Sequence, residues 1–317
     1  MRLRTSGSRR TSRATLVALM IAAIAGGGVA GCTSSPGTVG TSVSHRADGT
    51  TSTTTAPPPA VTLSVQALVD DTRPVVSGGE DLSPERALPT SVWTPAGPGP
   101  FPLVVFVHGF DKGPLDYQRF CAALASSGFV VAAPSFPQED PARGFPLDES
   151  HLGDEAADVS FVITSLTGDA TADKVDRSEV AVVGHSDGAD VALLVGYGHG
   201  SVDARVAAVV ADAPDPMTVG IVPSRTPLLL VQGTADSVVP YSSSQTVFAQ
   251  LESPVSYVTL VGADHLAPIA GGTPWTPVLD GDVAAFLDAT VAGRGPGTTA
   301  LAATLAASPL VRYTSKG

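Results

Sequence analysis

The sequence predicts an α/β fold, a mostly parallel central sheet with helices on both faces. Three observations predict it. Short, continuously apolar runs such as "FPLVVFVHG", "FVVAAPSFP" and "PLLLVQG" alternate with stretches of helical periodicity, as expected of strands buried on both faces and joined by crossover helices. The chain has 317 residues, 43% hydrophobic and only 15% charged, so it is too apolar to be disordered and long enough for one large core. Within "AVVGHSDGADVALL", residues 181–194, an apolar run passes through Gly184-His185-Ser186-Asp187-Gly188 into apolar residues at helical spacing. This places polar groups at the carboxyl end of a strand, where open α/β sheets hold their ligands.

Taken in order, residues 1–31 read as a lipoprotein signal peptide. Arg2, Arg4, Arg9, Arg10 and Arg13 form a positive start, and "ATLVALMIAAIAGGG" is too short and too glycine-rich for a membrane-spanning helix. The Val29-Ala30-Gly31-Cys32 that follows resembles a bacterial lipobox, which implies that Cys32 is lipidated and becomes the mature N-terminus. The other reading is an ordinary secretory signal with a chance cysteine. Ser8-Arg9-Arg10 hints at twin-arginine export, but Thr11 and Ser12 are not the apolar residues that signal usually wants. Residues 32–60 are rich in Ser, Thr, Gly and Pro without apolar periodicity, and read as a disordered tether. With Cys32 modified, Cys121 stands alone within an amphipathic helix pattern and reads as a small core residue.

From residue 61 to 292 the strand and helix patterns alternate. "SVWTP" and "FPLVVFVHG" read as strands, "DYQRFCAALASSG" as a helix, "FVVAAPSFP" as a strand and "DEAADVSFVITSLTG" as a helix. "EVAVVGHS" then leads into the helix "GADVALLVGYG". Two strands, "ARVAAVVADAP" and "PLLLVQGTAD", are followed by the helix "SSSQTVFAQL", the strand "VSYVTLVGADH" and the helix "GDVAAFLDATV". Residues 293–317 read as a C-terminal tail, Ala-rich and helical in pattern. Only Pro214 to Thr226 separates two of the strands, too few residues for a large cap domain over the site.

Gly-x-Ser-x-Gly between a buried strand and a helix is the pattern of a nucleophile elbow, a strained turn that lifts a serine oxygen above the sheet. The competing reading is a structural turn. A serine hydroxyl needs a histidine base, oriented in turn by a carboxylate. In chain order these follow the serine, each after a later strand. Asp236 follows "LLLVQGTAD" and His265 follows "YVTLVGAD", so the expected catalytic set is Ser186, Asp236 and His265. Asp212 and Asp215 are rival acids, while Asp264 should project away from its neighbour His265. The expected oxyanion donors are the backbone N–H groups of Phe110 and Asp187, with the Asp187 carboxyl pointing away from the developing charge. His108 is read as a loop brace, and Phe136 and Phe145 either as acyl contacts or as ordinary loop aromatics. A net charge of −12 and only three lysines, Lys112, Lys174 and Lys316, argue against a nucleic-acid partner.

"FPLVVFVHGF", "LASSGFVVAAPSFP", "VVGHSDGADVALL", "LVQGTADSVVP" and "GADHLAPI" together resemble the α/β-hydrolase superfamily. The likeness is to serine esterases of the branch that holds platelet-activating-factor acetylhydrolase-like, chlorophyllase-like and cutinase-like enzymes. It implies a carboxylic ester hydrolase with Ser186, Asp236 and His265 as its triad, no metal and no organic cofactor. With the lipobox, the expectation is a cell-envelope enzyme, lipid-anchored on the extracytoplasmic face of a bacterial membrane or secreted, acting on a small or lipid-like ester. The alternatives are amide, thioester or polyester cleavage by the same triad, and a non-catalytic lipid-anchored binding protein on a hydrolase fold. "ADAPDPM" lacks the tryptophan that cutinase-like polyester hydrolases often carry there.

Overall fold

The structure, a computed structural model, describes residues 60–168, 173–252, 254–294 and 308–317. The expected signal peptide, Cys32 and the tether up to residue 59 lie outside the described residues. Strand β1 (Val61–Asp70) pairs antiparallel along its whole length with β4 (Arg86–Pro95). A small hairpin of β2 (Val75–Ser77) and β3 (Glu80–Ser83) connects them. The alternating pattern follows with β5 (Phe101–Val107), α1 (Gln118–Ser126), β6 (Val130–Pro134), α2 (Leu152–Gly168), β7 (Val175–His185) and α3 (Asp187–Tyr197). It ends with β8 (Val206–Asp212), β9 (Leu228–Gly233), α4 (Tyr241–Gln250), β10 (Val255–Leu260), α5 (Ala267–Ala270), α6 (Thr276–Thr290) and β11 (Val311–Lys316).

Among the described residues the main sheet has nine strands in the order β1-β4-β6-β5-β7-β8-β9-β10-β11. Its six central strands, β6, β5, β7, β8, β9 and β10, are parallel neighbours; β4 and β11 run against them at the margins, and β1 pairs antiparallel with β4. Alternation of side chains along each strand feeds two cores, one per face. From β5, Leu103, Val105 and Val107 join Val159, Val162 and Leu193 of α2 and α3 on one face. Val104 and Phe106 meet Phe120, Leu124 and Phe286 of α1 and α6 on the other. Each such fully buried side chain contributes about 1.5–3 kcal/mol. This two-sided burial makes the central strands continuously apolar, and it keeps them parallel because the helices that cover them also connect them.

A buried ion pair joins the antiparallel margin to the helices. Arg86 on β4, 1% exposed, meets Asp158 on α2, 0% exposed, through Nε to Oδ1 at 2.8 Å and Nη2 to Oδ2 at 2.7 Å. Arg73 donates to the same carboxylate from the solvent side at 2.5 Å.

The C-terminus departs from the tail expected over 293–317. Val311–Lys316 is a strand that pairs with β10, with Val311 buried and the hydroxyls of Tyr313 and Ser256 2.8 Å apart. A lone six-residue strand gives little signal after an Ala-rich stretch, and it is set by the unpaired backbone of β10 that it covers. The helical part expected from the Ala-rich pattern lies outside the described residues. Residues 213–227, between β8 and β9, carry no helix, so no cap domain is inserted there.

Candidate active site

The turn from β7 to α3 places Ser186 at φ 58°, ψ −129°. That region costs a non-glycine residue on the order of 1–3 kcal/mol and is held only by its surroundings. The flanking glycines explain how it is held: a Cβ on Gly184 would overlap the Gly188 carbonyl, and one on Gly188 would overlap the Val107 carbonyl. The Ser186 N–H donates to the Asp212 carbonyl at 2.9 Å, fastening the elbow to β8. The other non-glycine residues with positive φ among those described, Asp111 and Ala213, follow the carboxyl ends of β5 and β8. Backbone strain is therefore gathered at one edge of the sheet.

His265 follows β10 and Asp236 follows β9, and their side chains meet with Nδ1 2.8 Å from Oδ2. The carboxylate is 1% exposed and fully bonded. Its Oδ2 also accepts from Gln232 Nε2 at 2.8 Å, and its Oδ1 accepts from the N–H groups of Val238 and Val239, both at 2.9 Å. The rival acids sit elsewhere. Asp264 caps α5 through the N–H groups of Leu266 and Ala267, while Asp215 accepts from Ser243 Oγ at 3.0 Å. Asp212 is buried beside the elbow, and burial, with the Asp236 charge adding, pushes its carboxyl up to about 8.

Ser186, His265, Phe110 and Asp187 line one cavity of about 340 Å³, together with Lys112, Val238 and Leu266. Among the described residues no hydrogen bond joins Ser186 Oγ to the imidazole, and such contacts commonly tighten only when substrate binds. The Phe110 N–H has no acceptor among the described contacts, which leaves it able to bind an anion. Asp187 is half-buried and lines the cavity, and its carboxyl Oδ2 is buried without a hydrogen-bond partner. Burial first, and then Glu149 and Asp215, raise it to about 6, while its own backbone N–H and His265 lower it. At neutral pH the amide expected as an oxyanion donor therefore lies beside its own carboxylate.

Two residues that the sequence reading did not single out brace this edge. The His185 carboxyl-end ring places Nε2 2.9 Å from the His265 carbonyl and Nδ1 3.0 Å from the Tyr117 hydroxyl, which receives the Gly109 N–H at 3.3 Å. A carbonyl can only accept, so His185 carries its proton on Nε2 and accepts the Tyr117 O–H at Nδ1. The resulting chain runs in one direction from the β5 loop to the His265 loop. Burial, with His265 adding, lowers His185 to about 4 and keeps it neutral. His185 lay inside the Gly-His-Ser motif, but nothing local in sequence could indicate its partners 68 and 80 positions away. His108 holds the same region from the other side, with Nδ1 3.1 Å from the Gly109 carbonyl and Nε2 accepting the Phe136 N–H at 3.3 Å. Phe136 is fully buried in the core, and neither it nor Phe145 lines the cavity.

Behind the site, Gln138, Glu139 and Glu155 are buried with no hydrogen-bond partner at their side-chain ends. Burial raises both glutamates, Glu139 to about 9, with Asp187, Glu149 and Asp148 adding to its shift. In the unfolded chain Glu139 releases its proton near 4.5. Between pH 4.5 and about 9 the folded chain thus holds a proton that the unfolded chain has lost, and stability falls as pH rises through that window. Melting temperature is expected to drop between pH 5 and pH 8.5, and to drop less in Glu139→Gln. Equal slopes for the two proteins in a thermal melt series would count against this. Among the described residues no three His, Cys, Asp or Glu side chains are grouped to hold a metal ion.

Sheet order, crossover pattern and elbow define a protein of the α/β-hydrolase type. The chlorophyllase family model matches residues 66–228, more than half of the chain, and the chain belongs to that family. Chlorophyllase-1, chloroplastic, of Citrus sinensis is 32% identical over 123 residues, 38% of this chain and 36% of that protein. Chlorophyllase type 0 of Chenopodium album is 28% identical over 133 residues, 40% of this chain and 38% of that protein. The chain spans little more than a third of the length of the curated relatives it matches.

Proposed function

We propose that this chain is a serine esterase that cleaves carboxylic esters through an acyl-enzyme. The observation that carries the reading is the 2.8 Å contact of His265 with the buried Asp236 beside a serine held at positive φ. Ser186 Oγ attacks the ester carbonyl and His265 Nε2 takes its proton. Asp236 holds the opposite nitrogen in the donating form and favours the imidazolium. The carbonyl oxygen, now negative, lies against the N–H groups of Phe110 and Asp187 at the N-terminus of α3, where each such donor is worth about 3 kcal/mol. Collapse breaks the ester bond, the alcohol leaves with the proton from His265, and water repeats the sequence to free the acid. Glu149, Asp187 and Asp215 around the cavity disfavour the carboxylate product and promote its departure.

Lipidation of Cys32, a tether over 32–60 and a place on the extracytoplasmic face of a bacterial membrane belong to the same proposal. They are supported by the arginine-rich start, the short apolar run and the Val-Ala-Gly-Cys sequence. The purified mature chain is expected to take one fluorophosphonate, seen by intact mass, and Ser186→Ala to take none. No labelling of well-folded wild-type protein, with no turnover of p-nitrophenyl esters from acetate to decanoate, would reject the reading.

A further inference from the structure

A second cavity, of about 400 Å³, adjoins the one that holds Ser186, and the two share Glu149 and Asp215. Its apolar lining comes from Leu152 at the start of α2, Leu194 on α3, and Met217 and Val219 on the loop between β8 and β9. That loop is pinned rather than loose. The Asp215 N–H donates to Asp190 Oδ1 at 2.9 Å, Gln250 Nε2 donates to the Met217 carbonyl at 3.4 Å, and the Val222 N–H donates to the Tyr197 carbonyl at 2.8 Å. A preformed, largely apolar pocket of this size with a few fixed polar groups is what small-molecule sites look like. The thioether of Met217 suits an aliphatic chain of variable shape.

On the reading of the site as an esterase, the leaving alcohol must sit against His265, which protonates it. The second cavity shares none of Val238, Val239, His265 and Leu266 with the Ser186 cavity, so it lies away from the alcohol. We propose that the second cavity is the subsite for the acyl chain of the ester, and that the two carboxylates at its neck, Glu149 and Asp215, select uncharged or cationic chains over anionic ones. Both carboxylates are exposed, so their repulsion acts at the entrance and is screened by salt. Lys112 is the only Lys or Arg among the residues lining either cavity, and it lies on the catalytic side.

The test uses the mature wild-type chain and p-nitrophenyl esters at pH 7.5. Matched ten-carbon acyl chains ending in a methyl ester, a free carboxylate or a trimethylammonium group are compared with acetate. The free carboxylate is expected to show kcat/KM at least fivefold below the methyl ester, with the gap narrowing in 0.5 M salt and shrinking in Glu149→Gln. Met217→Trp, which fills the cavity, is expected to lower the decanoate-to-acetate ratio of kcat/KM about tenfold. Varying the alcohol at constant acetyl group should leave that variant's ratios to wild type constant. An unchanged acyl-length profile in Met217→Trp, or equal rates for the charged and capped chains, overturns the subsite while acetate turnover keeps the esterase reading. Sensitivity to the alcohol instead would move the cavity to the other side of the scissile bond and also overturn it. Absence of both turnover and fluorophosphonate labelling would reject the esterase reading itself. If Met217→Trp does not fold, the comparison of chain-end charges in the wild type decides alone.

Discussion

Asp236→Asn is expected to lower kcat on p-nitrophenyl esters by about 10⁴-fold, the size of effect that loss of the correct histidine tautomer produces in enzymes of this mechanism. The hydrogen bonds around the carboxylate give the reason. Oδ1 accepts from two backbone N–H groups, Val238 and Val239, so an asparagine must place its oxygen there. Its NH₂ is then forced onto the position of Oδ2, where it faces His265 Nδ1 and Gln232 Nε2. Against His265 it donates, which drives the proton to Nε2 and leaves no lone pair to accept the proton of Ser186. Against Gln232 it is a donor facing a donor, so a modest loss of thermal stability is expected as well. Steady-state kinetics beside a thermal melt separate the two effects. A loss of kcat smaller than tenfold would show that Asp236 is not the orienting acid and would bring the buried Asp212 back into consideration.

Arg86→Met is expected to destabilise the fold by about 3–5 kcal/mol, since it strands a buried carboxylate that was paired and bonded. With roughly 2–4 °C per kcal/mol for a chain of this size, the melting temperature should fall by about 10 °C. The fall is bounded because Arg73 still reaches Asp158 from the surface. Arg86→Met combined with Asp158→Leu is expected to recover much of the loss, because no buried charge is then left unpaired. A double-mutant cycle by denaturant unfolding measures the coupling. If the double variant is no better than the single one, the pair is not what holds β4 to α2, and the packing of the neighbouring apolar residues is.

Much of the architecture is legible without coordinates. Central strands such as Phe101–Val107 and Leu228–Gly233 are buried on both faces, so their apolar character is continuous and local. The margins are harder to read. β1 alternates apolar and polar residues, but Leu63 and Val65 are 47% and 66% exposed, so its place rests on pairing with β4 rather than on burial. β11 is short and depends on β10 in the same way. At the site, the Gly-x-Ser-x-Gly spacing carries its own explanation, since close approach of backbone at Gly184 and Gly188 leaves no room for a side chain. The choice among acids is different in kind. Asp212, Asp215, Asp236 and Asp264 all lie near strand ends in sequence, and only the meeting of two loops shows that Asp236 is the one bonded to His265.

The amino-acid sequence by itself determined the α/β class, the parallel core, the turn that carries Ser186 and the strand-end positions of Asp236 and His265. Each of these follows from local periodicity, glycine spacing or strand-end position. Only the tertiary structure decided the partner of His265, the His185–Tyr117–Gly109 brace, the half-buried place of Asp187, and the sharing of Glu149 and Asp215 by two neighbouring cavities. These depend on side chains that converge from different strands and loops, and their distances and desolvation are properties of the folded chain that no single stretch of sequence encodes.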